Sequence, residues 1–277
     1  MRVDIPNTTL CCIDCSTHEL AARALSISLA ECRFQEALLL TDRPMQVAGV
    51  TVRRIPSITS GAGYSIFVLT ELARHIATDF VLLIQWDGYV LSGAAWRPEF
   101  QAYDYVGAKW THVPGVDVGN GGFSLRSRRL LEATADPAFV VGHPEDEAVC
   151  VVNRPLLALG HCLRFAPPDL ADRFAFERYR HDGPHFGFHG LFNIPDIIAA
   201  DELPSFLAML PARIAASTEF LEIVLRYYMS GRLAEARRCW RRALALRPEA
   251  EMAAFLNEKI KPKEMGPKLI AELSRPD

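Results

Sequence analysis

Short apolar runs alternate with amphipathic stretches over the first third of the chain. Thr8 to Ile13 is compact, apolar and β-branched, which predicts a buried strand. Ser16 or Thr17 can then cap a helix carrying Leu20, Ala24, Ile27 and Glu31, its apolar face widened by Leu25 and Leu29. Ala37 to Leu40 reads as a second strand, stopped by Thr41-Asp42-Arg43-Pro44, and Val50 to Ile55 as a third, ended by Pro56. A helix from about Tyr64 to Ile76 precedes the strongest strand signal, Phe80-Val81-Leu82-Leu83-Ile84. Strands alternating with helices predict an α/β fold: a mainly parallel, Rossmann-like central sheet flanked by helices.

The middle of the chain is less regular. A glycine-rich stretch, Val118 to Arg126, leads into a predicted helix from about Ser127 to Ala135. Pro144 opens another helix, with Glu145, Asp146 and Glu147 at its positive end. Cys162 to Ala166 reads as a strand closed by Pro167-Pro168. From about Leu203 the pattern turns helical, so residues 1–202 read as one domain and 203–277 as an appendage. Within it Tyr227, Gly231, Ala236, Trp240, Ala243 and Pro248 follow a tetratricopeptide-like spacing. A single repeat of about 34 residues cannot bury its own face, so the helix pair is expected to dock on the first domain or on a protein partner.

Composition narrows the function classes. Thirty basic against 33 acidic residues give a net charge of -3, which supplies no global footprint for nucleic acid. The first residues carry no apolar run of signal-peptide length, and no stretch approaches the roughly 20 apolar residues of a membrane helix. Seven cysteines, an odd number placed mostly in apolar segments, suit reduced buried thiols and a cytoplasmic location. Cys12 and Cys15 form a C-x-x-C without a second pair, which fits strand-end core thiols better than a redox or metal motif.

Asp87 follows the strongest strand directly, at the strand end where open α/β sheets bind ligands. Two explanations suit it. An Asp before Gly88 is a common turn former, and a carboxylate there is also a hard oxygen ligand for a divalent cation on a diphosphate. The glycine cluster Gly119-Asn120-Gly121-Gly122 lets backbone approach a ligand closely, although such clusters are often only turns. Glu145 and Asp146 are candidate bases, yet acids after Pro144 stabilise a helix start in any case.

The run from Val81 through Gln85-Trp86-Asp87-Gly88 to Leu91, followed by Gly119 to Arg128, resembles a bacterial family related to GT-A-fold glycosyltransferases. Pro144-Glu145-Asp146 and Phe186-Gly187-Phe188-His189-Gly190 continue the match in order, so the resemblance covers about residues 8 to 195. It implies a GT-A-like domain that moves a sugar from a nucleotide-diphosphate donor to a glycan, lipid-linked or protein acceptor, with Mn²⁺ or Mg²⁺. GT-A enzymes usually carry Asp-x-Asp at this strand end. Here the triplet is Gln85-Trp86-Asp87, with an amide in the first place, and a weaker or absent metal dependence follows from that departure. By the resemblance Asp87 and His189 are the metal ligands. Asp14, Gln85, Trp86, Asp87, Asn120, Gly121 and Gly122 are donor-binding positions, and Asp146 or Glu145 is the base. A degenerate site that binds a nucleotide sugar or glycan without turnover is the competing expectation, and a scaffold acting through the helical tail is a third. Arg237, Arg238, Arg241 and Arg242 form a basic strip that either faces solvent or attracts an anionic acceptor.

Overall fold

The computed structural model of the chain describes residues 2–259 and 265–275. It separates into two compact units, Met1–Gly190 and Leu191–Asp277.

The first unit is built on a six-stranded sheet. Its strands are β1 (Val3–Ile13), β2 (Cys32–Thr41), β3 (Thr51–Arg54), β4 (Phe80–Ile84), β5 (Tyr105–Val106) and β6 (Phe123–Ser127), in the order β3-β2-β1-β4-β6-β5. β1 to β4 run parallel, while β6 is antiparallel to both β4 and β5. The expected α/β architecture, a mainly parallel sheet flanked by helices, is therefore present.

Period-two alternation sorts the strand side chains. Cys11 and Ile13 of β1, Leu38 and Leu40 of β2 and Val81 and Leu83 of β4 form one core with Phe67, Val68, Leu72 and Ile76. The intervening residues Leu10, Cys12, Leu39, Leu82 and Ile84 are equally buried on the other face. Helix α1 (His18–Glu31) packs on β1 and β2. Burial on both faces explains why these strands read as continuous apolar runs.

Local expectations fared unevenly. Thr17 stands at the N-cap of α1 but makes no side-chain cap. Its hydroxyl donates to Asp14 instead, whose carboxylate also accepts the Ser16 and Thr17 backbone N–H groups. Helix α2 (Gly61–Thr70) begins earlier than predicted because the Ser60 hydroxyl accepts from Gly63 N at 3.1 Å, and a 3₁₀ turn, Leu72–His75, continues it. Helix α3 (Arg128–Ala133) starts where expected, capped by Ser127.

The strand expected at Cys162–Ala166 does not form. Phe165 makes only an isolated bridge to Tyr105, because β5 offers just two residues to pair with and Cys162 is left-handed at φ 54°. Cys162 is also exposed, unlike the buried Cys11, Cys12, Cys32, Cys150 and Cys239. Pro144 caps α4 (Glu145–Glu147) rather than lying inside its first turn, and the chain runs on as a π-turn, Ala148–Val152.

In the second unit the helices Thr218–Met229 and Leu233–Leu244 pack together, with Gly231 at φ 77° in the turn between them. Tyr227, Ala236, Cys239, Trp240 and Ala243 are fully buried. Two arginines of the basic strip are tied down, Arg237 Nε to the Glu272 carbonyl and Arg242 Nη2 to the Leu210 carbonyl, each at 3.0 Å. Among the described residues no helix is long and apolar enough to cross a membrane.

Candidate functional site

β4 ends in a tight turn at the sheet edge where the parallel strands finish. Gly88 N donates to the Gln85 carbonyl at 3.1 Å, and Gln85 N to the Gly122 carbonyl at 2.9 Å. Asp87 is thus both a turn residue and a buried carboxylate, 7% exposed, so the two explanations of it are compatible. Gly88 admits no side chain: a Cβ would lie 2.8 Å from the Phe188 carbonyl oxygen and 3.1 Å from that of Gly122.

A parallel pair of two-residue strands, β7 (Ala175–Phe176) and β8 (Gly187–Phe188), returns the chain to this point. His189 N donates to the Phe176 carbonyl and Gly190 N to the Asp87 carbonyl, each at 3.0 Å. These bonds aim the imidazole at the β4 turn. Its Nε2 lies 3.2 Å from Gln85 Oε1 and 3.5 Å from Asp87 Oδ1, while Nδ1 lies 3.2 Å from Glu177 Oε1. Burial disfavours the imidazolium, but the Asp87 and Glu177 carboxylates outweigh it and hold the His189 pKa well above its ordinary value.

The Asn120-Gly121-Gly122 segment packs against the same centre. Asn120 is left-handed at φ 71°, and its Oδ1 accepts from Gly122 N at 3.0 Å and Phe123 N at 3.3 Å. Gly121 N donates to Asp146 Oδ2 at 2.9 Å. The glycines serve close approach by the protein's own side chains. A Cβ on Gly122 would sit 2.1 Å from His189 Nε2, and one on Gly121 would sit 1.7 Å from Glu145 Oε1. Gly122→Ala is accordingly expected to displace the imidazole and cost about 1–3 kcal/mol through overpacking. Thermal unfolding measures the cost. Gly122 is not among the glycines at positive φ, so the expected cost is the steric clash with His189 and not backbone strain.

The candidate bases behave differently from each other. Glu145 is buried, and its Oε1 accepts from Arg126 Nη2 at 2.9 Å. Arg126 is 1% exposed, donates through Nε to Ser124 Oγ at 3.0 Å, and lies 5.4 Å from the Tyr105 ring centroid. Asp146 remains partly exposed while it accepts from Gly121. Trp86 is half-buried beside Gln85. Asp14 is 8% exposed, and both its oxygens serve the turn that starts α1.

The fold therefore gathers Gln85, Asp87, Gly122 and His189 at one point, with Gly121 and Asp146 joined beside it. Two residues of this centre escaped the sequence reading. Glu177 carried no local signal. Arg126 carried one, a lone charge inside Phe123-Ser124-Leu125-Arg126, a segment buried on both faces.

Among the described residues there is no group of three or more His, Cys, Asp or Glu side chains arranged to hold a metal ion. Asp87 offers a carboxylate and His189 an imidazole once a metal displaces the proton that its raised pKa retains, with the Gln85 side-chain carbonyl beside them. That oxygen–nitrogen donor set suits Mn²⁺ or Mg²⁺ only when a ligand supplies the remaining oxygens, as a diphosphate does.

The two histidines bracketing β8 titrate in opposite senses. Burial, then the positive charge of Arg180 and His181, lowers the His185 pKa, so His185 is neutral in the fold. As pH falls below about 6.5 the unfolded chain takes up that proton first, and the stability present above this pH is lost. His189 runs the other way: its contribution is complete below about 6.5 and is lost as pH rises through its raised value. His185→Phe is thus expected to lose less stability than the parent between pH 7.5 and 5.5, while the His189 part cancels. Urea midpoints at the two pH values measure the difference.

No curated protein matches the chain. Two solved structures of the galactosyltransferase LgtC resemble it. One, with donor and acceptor sugar analogs, has 11% identity and TM-score 0.41, covering 65% of this chain and 86% of that one. The other, an active-site mutant, has 12% identity and TM-score 0.44, covering 73% and 94%. Residues 49–189, just over half of the sequence and nearly all of the site, match a family described as protein of unknown function (DUF5672), and the chain belongs to that family.

Proposed function

We propose that the protein is a glycosyltransferase that moves a sugar from a nucleotide-diphosphate donor to an acceptor hydroxyl. One observation carries the reading: four segments spread over residues 85–190 close on a single point at the sheet's ligand-binding edge. Gln85 binds Gly122, Gly121 binds Asp146, Asp87 binds Gly190, and His189 faces both Asp87 and Gln85.

Asp87 and His189 would hold Mn²⁺ or Mg²⁺, which supplies positive charge against the departing diphosphate. Gln85 and Asn120 orient the donor by hydrogen bonds, and Trp86 borders it. Asp146 takes the acceptor's proton as the acceptor oxygen bonds to the anomeric carbon and the bond to the diphosphate breaks. Glu145 is committed to Arg126, which leaves Asp146 as the better base of the two. Asp14 contributes by shaping the turn after β1.

A non-catalytic nucleotide-sugar binder is the second reading, and the neutral Gln85 beside Asp87 favours it. A donor-hydrolysis assay separates the two. Slow release of nucleoside diphosphate that is lost in Asp146→Asn supports turnover, whereas tight donor binding with no release supports the binder.

A further inference from the structure

Behind the β7–β8 pair lies a cleft of 330 Å³ lined by Trp96, Arg97, Arg173, His181, Asp182 and Pro184. It lies on the first unit's own scaffold. Phe186 N donates to the Arg173 carbonyl at 3.2 Å, and the Trp96 ring meets that of Phe186 edge-on at 5.1 Å. The volume is at the small end for organic ligands, so it suits one charged group with a short attachment rather than a whole nucleotide sugar.

Charge is unbalanced there. Two guanidinium groups and an imidazole face one carboxylate, Asp182. Among the described residues neither the Arg97 nor the Arg173 guanidinium makes a hydrogen bond or an ion pair. Elsewhere in the same unit Arg33, Arg53, Arg126 and Arg128 are each matched to a carboxylate. Next to the cleft, buried His185 is kept neutral by burial first and then by the positive charge of Arg180 and of His181, of which His181 lines the cleft. Clustered like charges cost free energy that a bound anion offsets, and forked guanidinium donors match phosphate oxygens.

We propose that this cleft binds a phosphate group through Arg97 and Arg173. From Phe186 to His189 the chain advances on the order of 10 Å along β8. A phosphate-bearing acceptor held in the cleft could therefore extend toward the Asp87–His189 centre. That last step rests on the transferase reading; phosphate binding does not.

Calorimetric titration with inorganic phosphate at constant ionic strength tests it, using the full-length protein, Arg97→Gln/Arg173→Gln and Asp87→Ala. Saturable binding that weakens at least about tenfold in the double variant and is unchanged in Asp87→Ala is the expected result. No binding by the parent, or equal binding by the double variant, overturns the proposal. Sedimentation with phosphatidylcholine vesicles containing phosphatidic acid then names the source. Arginine-dependent pelleting assigns the phosphate to a lipid headgroup, and phosphate binding without pelleting assigns it to a soluble ligand. If phosphate binds as expected while no nucleotide sugar binds the parent, the transferase reading alone has failed.

Discussion

Asp87→Ala is expected to leave the first unit folded and to weaken Mn²⁺-dependent binding of a nucleotide sugar at least about 30-fold. Losing one partner of a buried charge pair costs about 2–5 kcal/mol, and tenfold in affinity is about 1.4 kcal/mol. The fold should persist because the structural work of residue 87 is done by its backbone. Its carbonyl accepts from Gly190 N, and the turn is closed by Gln85 and Gly88. Asp87→Asn keeps the shape and removes the charge, so it should lose nearly as much. Calorimetry with and without Mn²⁺ measures both variants; unchanged affinity in Asp87→Ala would remove this residue from the site.

The second large effect concerns Arg126 and Glu145. Both are buried, and they pair at 2.9 Å. Removing one partner of such a pair typically costs about 3–5 kcal/mol, because the remaining charge is stranded, whereas replacing both with apolar groups is often close to neutral. Glu145→Leu should therefore consume much of a stability that for ordinary domains totals about 5–15 kcal/mol. Arg126→Met/Glu145→Leu should recover most of it. Asp146→Asn keeps an oxygen that accepts from Gly121 N, so it should cost less than about 1 kcal/mol and act mainly on transfer. Urea unfolding separates these outcomes. A Glu145→Leu protein as stable as the parent, lacking only transfer, would make Glu145 a base after all.

The parallel half of the sheet was legible because each strand is buried on both faces and bounded by a clear stop, such as Pro56 after β3. β6 was not, because Arg126 breaks its apolar pattern and its pairing with β4 joins residues some 40 positions apart. The false strand at 162–166 has the matching explanation. Cys162 to Ala166 has strand composition, but the two-residue β5 cannot sustain a ladder with it. At the site, Asp87 was readable from its place after Phe80–Ile84. What the sequence did not show at Gly121 and Gly122 is the close approach of Glu145 and His189, whose side chains fill the space that a Cβ would take. Glu177 was invisible, since only the return of β7 and β8 brings it to His189 Nδ1.

The most direct test of the Asp87-centred site is a thermal-shift screen of nucleotide sugars, each with and without Mn²⁺, on the parent protein and Asp87→Ala. A ligand that binds only the folded state raises its stability by mass action, by about 2.7 kcal/mol at a hundredfold excess over Kd. One nucleoside-diphosphate sugar is predicted to raise the melting temperature of the parent, with a larger shift when Mn²⁺ is present and none in Asp87→Ala. Shifts for no nucleotide sugar, or equal shifts in the parent and Asp87→Ala, would contradict the account.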